Sequence, residues 1–258
     1  MRTILGTTPI AILTAAIFTC GLGASARSAE DDSKAVVDKA IKAIGGGAKL
    51  SAAKGLTWKT KGKFLVGEND SPYTAQTTIS GLDRVHEEFE ADFNGNPFKA
   101  LLVIDGDKGW RRFGDMSSME LSADDLANDK RRFYLQVISM GMLSPLQTQD
   151  YKVESAGEEK VGDANADVVK VTAPDGKDFK LFLDKKTNLP IRVVGQLLNF
   201  MGQEVSQETT YSDFKDFDGI KKATKHVVKH DGRAIVEAEI TDFKVLDKVD
   251  PETFAEPK

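Results

Sequence analysis

Apolar and polar residues alternate one for one through most of this chain. Trp58, Thr60, Gly62, Phe64 and Val66 share one side of the first such segment, and Lys59, Lys61 and Lys63 take the other. That period of two predicts a strand with one buried face. The clearest case runs from Arg84 to Phe93. Val85, Phe89, Ala91 and Phe93 point inward there, and Arg84, His86, Glu88, Glu90 and Asp92 point outward. Further strands are predicted at Tyr73–Ser80, Phe98–Ile104, Gly109–Phe113, Tyr151–Val161, Asp167–Ala173, Asp178–Leu183, Leu189–Leu197, Glu204–Ser212, Ala223–Lys229 and Arg233–Val245. Turn sequences separate them, among them Asn94-Gly95-Asn96-Pro97, Asp105-Gly106-Asp107, Lys186-Thr187-Asn188, Asp218-Gly219 and His230-Asp231-Gly232. Short turns of this kind predict antiparallel meanders rather than strand–helix–strand crossovers. In the last strand the apolar parity switches near Thr241-Asp242, which predicts a bulge.

Two segments have the helical period instead. Asp31 to Ile44 carries Ala35, Val36, Lys39, Ala40 and Ala43 at helical spacing, and Gly45-Gly46-Gly47 stops it. Without a following Lys-Ser/Thr or a preceding apolar strand, the three glycines are a helix stop and not a phosphate loop. Ser122 to Met142 opens on a capping-box-like Ser122 and Asp125 and ends at Gly141 and Pro145. Leu126, Phe133, Val137 and Met140 line one of its faces, with Tyr134 and Ile138 beside them. Leu197-Leu198-Asn199-Phe200-Met201-Gly202 is an apolar loop between two strands; exposed, it would mark a partner or membrane contact, and folded inward it would close the end of the fold.

The first residues read as an export signal. Arg2 precedes the uncharged apolar stretch Ile10–Leu22, and Ala24-Ser25-Ala26 fits a small-x-small cleavage site. Residues 1–26 are expected to be removed, leaving 27–258 as a single periplasmic domain without a transmembrane segment. The one cysteine, Cys20, falls inside the signal. Phe18 and Thr19 stand where a lipoprotein signal needs small residues, so Cys20 is expected to leave with the signal rather than carry a lipid. The mature chain then has no thiol and depends on its core for stability.

Composition narrows the function. With 35 Lys and Arg against 40 Asp and Glu, the net charge is −5. Nucleic acid and anionic lipid headgroups are therefore not expected partners. Three histidines and a cysteine-free mature chain leave few parts for hydrolytic or redox chemistry, and no nucleophile elbow or zinc helix is present. His86, Glu88, Glu90 and Asp92 share one strand face, which suits either metal donors or a solvated surface. The solvated surface is the reading adopted; His226 and His230 also have matched parity, but a turn starts at His230, so metal is not expected there either. No enzyme activity, metal or cofactor is expected.

A short helix ending in Gly-Gly and a run of strands lead to a characteristic close: Tyr211-Ser212-Asp213-Phe214, Asp218-Gly219-Ile220, and Asp250-Pro251-Glu252-Thr253-Phe254. Between them, Leu181-Phe182-Leu183-Asp184 is followed by Asn188-Leu189-Pro190-Ile191-Arg192. In these features the chain resembles the LolA/LolB-like outer-membrane lipoprotein-sorting superfamily of periplasmic carriers. The resemblance implies a mainly β (α+β) fold: a strongly curved antiparallel sheet forming an incomplete barrel, its open side covered by an N-terminal and a central helix. It also implies an acyl-binding cavity between sheet and helices. The candidate lining is Trp58, Phe64, Trp110, Leu126, Phe133, Val137, Met140 and Met142; the plainer account of these residues, and of Tyr134 and Leu143, is ordinary core. The expectation is a monomeric carrier or sensor for a lipid-like or acylated ligand, with the acyl chain of a lipoprotein and an envelope protein as candidate partners. The alternative is a non-enzymatic interaction module with the same fold and a filled cavity.

Overall fold

In the computed structural model, residues 22–45, 48, 52–65, 70–139, 142–199 and 201–258 are described. The chain opens with helix α1 (Leu22–Ile44) and continues through β1 (Gly55–Phe64), β2 (Ser71–Ser80), β3 (Arg84–Phe93), β4 (Asn96–Asp105), β5 (Lys108–Phe113) and β6 (Met119–Glu120). Helix α2 (Ala123–Ser139) and a 3-10 turn (Ser144–Gln147) follow. Then come β7 (Lys152–Val161), β8 (Ala164–Thr172), β9 (Asp178–Asp184), β10 (Pro190–Leu198), β11 (Glu204–Phe217), β12 (Ile220–His230), β13 (Arg233–Leu246) and a last 3-10 turn (Pro251–Phe254). Every strand read from the sequence is present; the two-residue β6 is an addition too short to leave a periodic trace. Helix α1 begins at Leu22, ahead of the expected Asp31, so Ala24-Ser25-Ala26 falls in its first turns. The rest of the expected export signal with Cys20, and Gly46, Gly47, Val66, Met140 and Phe200, lie outside the described residues.

The thirteen strands form one antiparallel sheet in the order β6-β5-β4-β3-β2-β1-β13-β12-β11-β10-β9-β8-β7. The chain lays strands outward from β1 to one edge, crosses to the other edge through α2, and returns until β13 pairs with β1. The sheet must curl around α2. Leu126 of α2 lies against Gly109 on β5, and Leu135 lies against Gly195 on β10. Those two strands are eight steps apart in the sheet, about 38 Å if it were flat. The two leucines are separated by only about 14 Å along the helix axis.

Tight turns hold the register. Asn94-Gly95, Asp218-Gly219 and Asp231-Gly232 place both residues at positive φ, between 48° and 83°. Asn, Asp and Gly tolerate that conformation, and it matches the twist of the strands they join. The expected bulge is present: the β1–β13 register slips between Lys59 and Thr60, leaving Thr241 as the extra residue. The main core fills the concave side, where both helices pack. Two smaller clusters lie on the convex side. Ala166, Val168 and Phe182 form one; Val103, Trp110 and Phe254 form the other, with the C-terminal turn as its cover.

Candidate ligand-binding surface

Strand pairing sorts the concave face of β1–β5 into rows. At the bottom, the end at which β1 starts, Leu56, Ile79, Val85, Ile104 and Gly109 lie side by side. The four apolar side chains of this row are buried in the main core. The next row is Trp58, Thr77, Glu87, Leu102 and Arg111. Its polar members meet α2 through charges. Glu87 accepts from the Thr77 hydroxyl at 3.2 Å and faces the Arg132 guanidinium at 3.5 Å. Arg111 binds Asp129 at 2.5 Å, and Arg132 reaches the same carboxylate at 3.7 Å. Two arginines and two carboxylates thus make a neutral belt that ties the helix across the strands.

Above this belt the helix ends its cover and the rows become aromatic. Thr60, Ala75, Phe89, Ala100 and Phe113 are neighbours, then Gly62, Tyr73, Ala91 and Phe98, with Phe64 and Phe93 at the top. Large and small side chains alternate, so each ring has room to lie over its small neighbours. Gly62 is required for this: a Cβ there would stand 2.7 Å from the Tyr73 ring and 2.6 Å from a backbone carbonyl. The six rings form a continuous chain of contacts. Phe64 to Tyr73 is 4.9 Å between centroids, Tyr73 to Phe89 5.4 Å, Phe89 to Phe98 6.1 Å, Phe98 to Phe113 5.8 Å and Phe93 to Phe98 5.9 Å. These are the offset and edge-on spacings that aromatic pairs favour. Yet Phe93 and Phe98 are 38% and 36% exposed, and the other four are half-buried. Burial, and then the Glu87 charge, push the Tyr73 phenol well above its ordinary range, so it stays neutral.

The other half of the concave face is closed. Phe133, Leu135 and Ile138 of α2 are almost fully buried against Phe179, Leu181, Val193 and their neighbours. Gly195 makes the approach possible, since a Cβ there would already touch Leu135 at 3.0 Å. Arg131, itself buried, staples the helix in place: it donates to the carbonyls of Gln196 at 2.7 Å and Asp178 at 2.8 Å and pairs with Asp175 at 3.2 Å. Asn128 adds two bonds to the backbone of Leu198.

Where the two halves meet, Lys222 lies buried with its ammonium 5.1 Å from the Trp58 ring and 4.5 Å from Phe243. Burial lowers its pKa to about 7. His226 on the same strand is lowered to about 4, by burial first and then by the Lys222 charge. The Trp58 indole N–H, also buried, has no hydrogen-bond partner among the described residues.

The residues expected to line a cavity are therefore divided. Trp58, Leu126, Phe133 and Val137 belong to the packed main core, with Met142 half-buried at its margin. Phe64 belongs to the open aromatic surface. Trp110 is not among them: its position in β5 has the parity opposite to Arg111, which turns it to the convex side against Val103 and Phe254. Tyr73, Phe89, Phe93, Phe98 and Phe113 were not singled out as a site. Their common parity was visible strand by strand, but only the four hairpin registers bring them together. Two small cavities, each about 230 Å³, open along α1. His86, Glu88, Glu90 and Asp92 lie on the convex side, and no cluster of metal-ligating side chains occurs among the described residues. No described helix is long and apolar enough to cross a membrane.

No family model matches the sequence, and no curated protein matches it. Solved structures do. A LolA superfamily protein from Nitrosomonas europaea superposes with a TM-score of 0.56 at 12% identity, over 86% of this chain and 97% of the other. The fold is of the LolA type. A DUF1329 family protein from Desulfovibrio piger gives a TM-score of 0.54 at 14% identity, again over 86% and 97%. A putative outer membrane lipoprotein-sorting protein domain from Vibrio parahaemolyticus gives 0.53 at 12%, over 84% and 97%. At such identities the likeness extends to the LolA-type sheet and its helices, and the resemblance noted in the turns of the sequence has its counterpart in this architecture.

Proposed function

We propose that this protein is a non-enzymatic periplasmic carrier for a lipid-like or acylated ligand, exported by a signal in residues 1–26. One observation carries the reading: the six-ring aromatic surface that the LolA-type sheet leaves uncovered on its concave face. An apolar surface of this size, kept open to water beside a neutral polar belt, is costly unless something covers it. An acyl chain laid across it would gain about 0.8 kcal/mol per buried CH₂. No chemical step is needed. A Vibrio parahaemolyticus protein of this fold is described as a putative lipoprotein-sorting domain, which agrees with such a ligand. The position differs from that expected from the sequence, since the ligand lies over β1–β5 and not beneath α2.

A second reading is favoured by the dense packing around α2: an interaction module of the same fold whose ligand space is filled. A fluorescent long-chain fatty acid separates the two. The carrier binds it saturably, and Phe98→Asp, which puts a charge among the rings, abolishes binding without unfolding the protein. Absence of saturable binding to the wild type, or equal binding to the variant, would leave the interaction module.

A further inference from the structure

The large apolar side chains that are exposed are not scattered. Phe93, Phe98, Met116, Met119, Leu198 and Met201 are each at least 36% exposed, and Met201 reaches 65%. Strand direction places Phe93, Phe98, Met116, Leu198 and Met201 at the end of the sheet at which β1 finishes, with Met119 lower, beside Arg111 of the belt row. Phe93 and Phe98 flank the β3–β4 turn, Met116 and Met119 the β5–β6 turn, and Leu198 and Met201 the β10–β11 turn. These hairpins belong to different halves of the sheet, but α2 draws them together. Asp129 holds Arg111, the register partner of Met119, while the adjacent Asn128 holds Leu198. The opposite end of the sheet exposes no comparable side chain among the described residues.

We propose that this end is a docking surface for a lipid bilayer with a neutral, zwitterionic headgroup layer. The inference rests on the carrier reading, and three features of the molecule fix the occupant. Phe93 and Phe98 belong both to this rim and to the aromatic trough, so the trough opens where the rim would touch lipid, and a chain could pass between them without crossing water. The apolar residues stand on three separate hairpins, a spacing that suits a plane and offers no single groove for a peptide. The same hairpins also lack surplus positive charge. They carry Asp92, Asp115 and Glu204 as well as Lys99, held by Glu90 at 2.7 Å, and Arg112, which donates to the Lys258 backbone oxygen at 2.5 Å. An anionic leaflet would be met without attraction, whereas an uncharged interface can take up exposed Met, Leu and Phe side chains.

Flotation with phosphatidylcholine vesicles tests this. The wild type is expected to float with them, unaffected by salt and no better with vesicles containing phosphatidylglycerol. The variant Met116→Ser/Met119→Ser/Leu198→Ser/Met201→Ser should reduce the bound fraction about tenfold or more. Its melting temperature and its binding of the fatty-acid probe should be unchanged, because none of the four residues belongs to the core or the ring cluster. No flotation of the wild type, equal flotation of the variant, or binding that needs anionic lipid would overturn the proposal. A wild-type dimer that the variant dissociates, with no vesicle binding, would assign the surface to a second copy of the chain. Loss of probe binding by the wild type would fail the carrier reading instead, and the two results are read separately.

Discussion

The two halves of the concave face solve the same problem in opposite ways. Over β8–β10 the sheet is smoothed by Gly195, α2 lies directly on it, and Phe133, Leu135 and Ile138 fill the space to the degree expected of an interior. Over β1–β5 the helix is tied to the sheet as far as the Glu87–Arg132–Asp129–Arg111 belt, and the rings beyond it stay open. The same sheet thus carries a region that is spent on stability and a region that is not. The contrast also reassigns α2. Its buried residues, Arg131 among them, hold the fold, and Arg132 marks where cover ends.

The largest test of this division is a pair of truncations. Phe133→Ala should cost about 3–5 kcal/mol, the usual loss for a large ring removed from packed core. Phe98→Ala should cost less than about 1 kcal/mol, since its ring is already over a third exposed. Urea denaturation of both variants measures the difference, and equal losses would erase the distinction between the halves.

A somewhat smaller effect is expected at the seam. Folding holds His226 neutral down to about pH 4, whereas the unfolded chain takes up that proton near 6.5. The unfolded state therefore binds more protons between these values, and stability falls as pH drops through that window, by about 3 kcal/mol in all. Lys222 acts in the same direction at higher pH. Its folded pKa of about 7 lies below the ordinary 10.5, so stability rises with pH between the two. Urea midpoints should climb from pH 4 to about 9, beyond which the raised Tyr73, Tyr134 and Tyr151 phenols act in the opposite direction. His226→Gln should flatten the acid limb, and Lys222→Met the alkaline one. A profile flat between pH 4 and 6.5 would contradict the His226 assignment, and one that does not rise above pH 7 would contradict that of Lys222.

The smallest change sharpens the role of α2. Arg131→Met leaves the Gln196 and Asp178 carbonyls without their donor and should cost about 2–3 kcal/mol. Arg132→Met, at the margin of the open half and 40% exposed, should cost under about 1 kcal/mol. Thermal unfolding of the two neighbours reads the comparison directly.

The strands were legible because the turns between them are short and chemically explicit. Asn94-Gly95 and Asp231-Gly232 announce both the reversal and its handedness. Helix α2 was legible in place but not in depth. A stripe through Leu126, Phe133 and Val137 with Tyr134 and Ile138 beside it was expected, but Leu135 is buried as well, so that most of the circumference is covered, as befits a helix inside a curled sheet. Trp110 was misplaced because β5 is only six residues long and offers Arg111 and Arg112 in succession, which obscures its parity. The aromatic trough was hidden for another reason. Glu87 and Arg111 interrupt the inward-facing pattern, and without the helix that pairs with them they read as breaks rather than as the border of a site.

The pairing of β1 with β13 sets a constraint on how the molecule is made. Gly55 meets Leu246 and Phe64 meets Val236, contacts between nearly opposite ends of the chain. Each half is a local meander that can form early, but their junction carries a large loop-closure cost and a high contact order. The middle of the finished sheet is therefore its last seam to close. Until β13 arrives, β1 is an unpaired edge strand carrying Trp58 and Phe64, the kind of edge that recruits other chains. A chain emerging amino terminus first would present that edge for as long as its remaining strands take to follow.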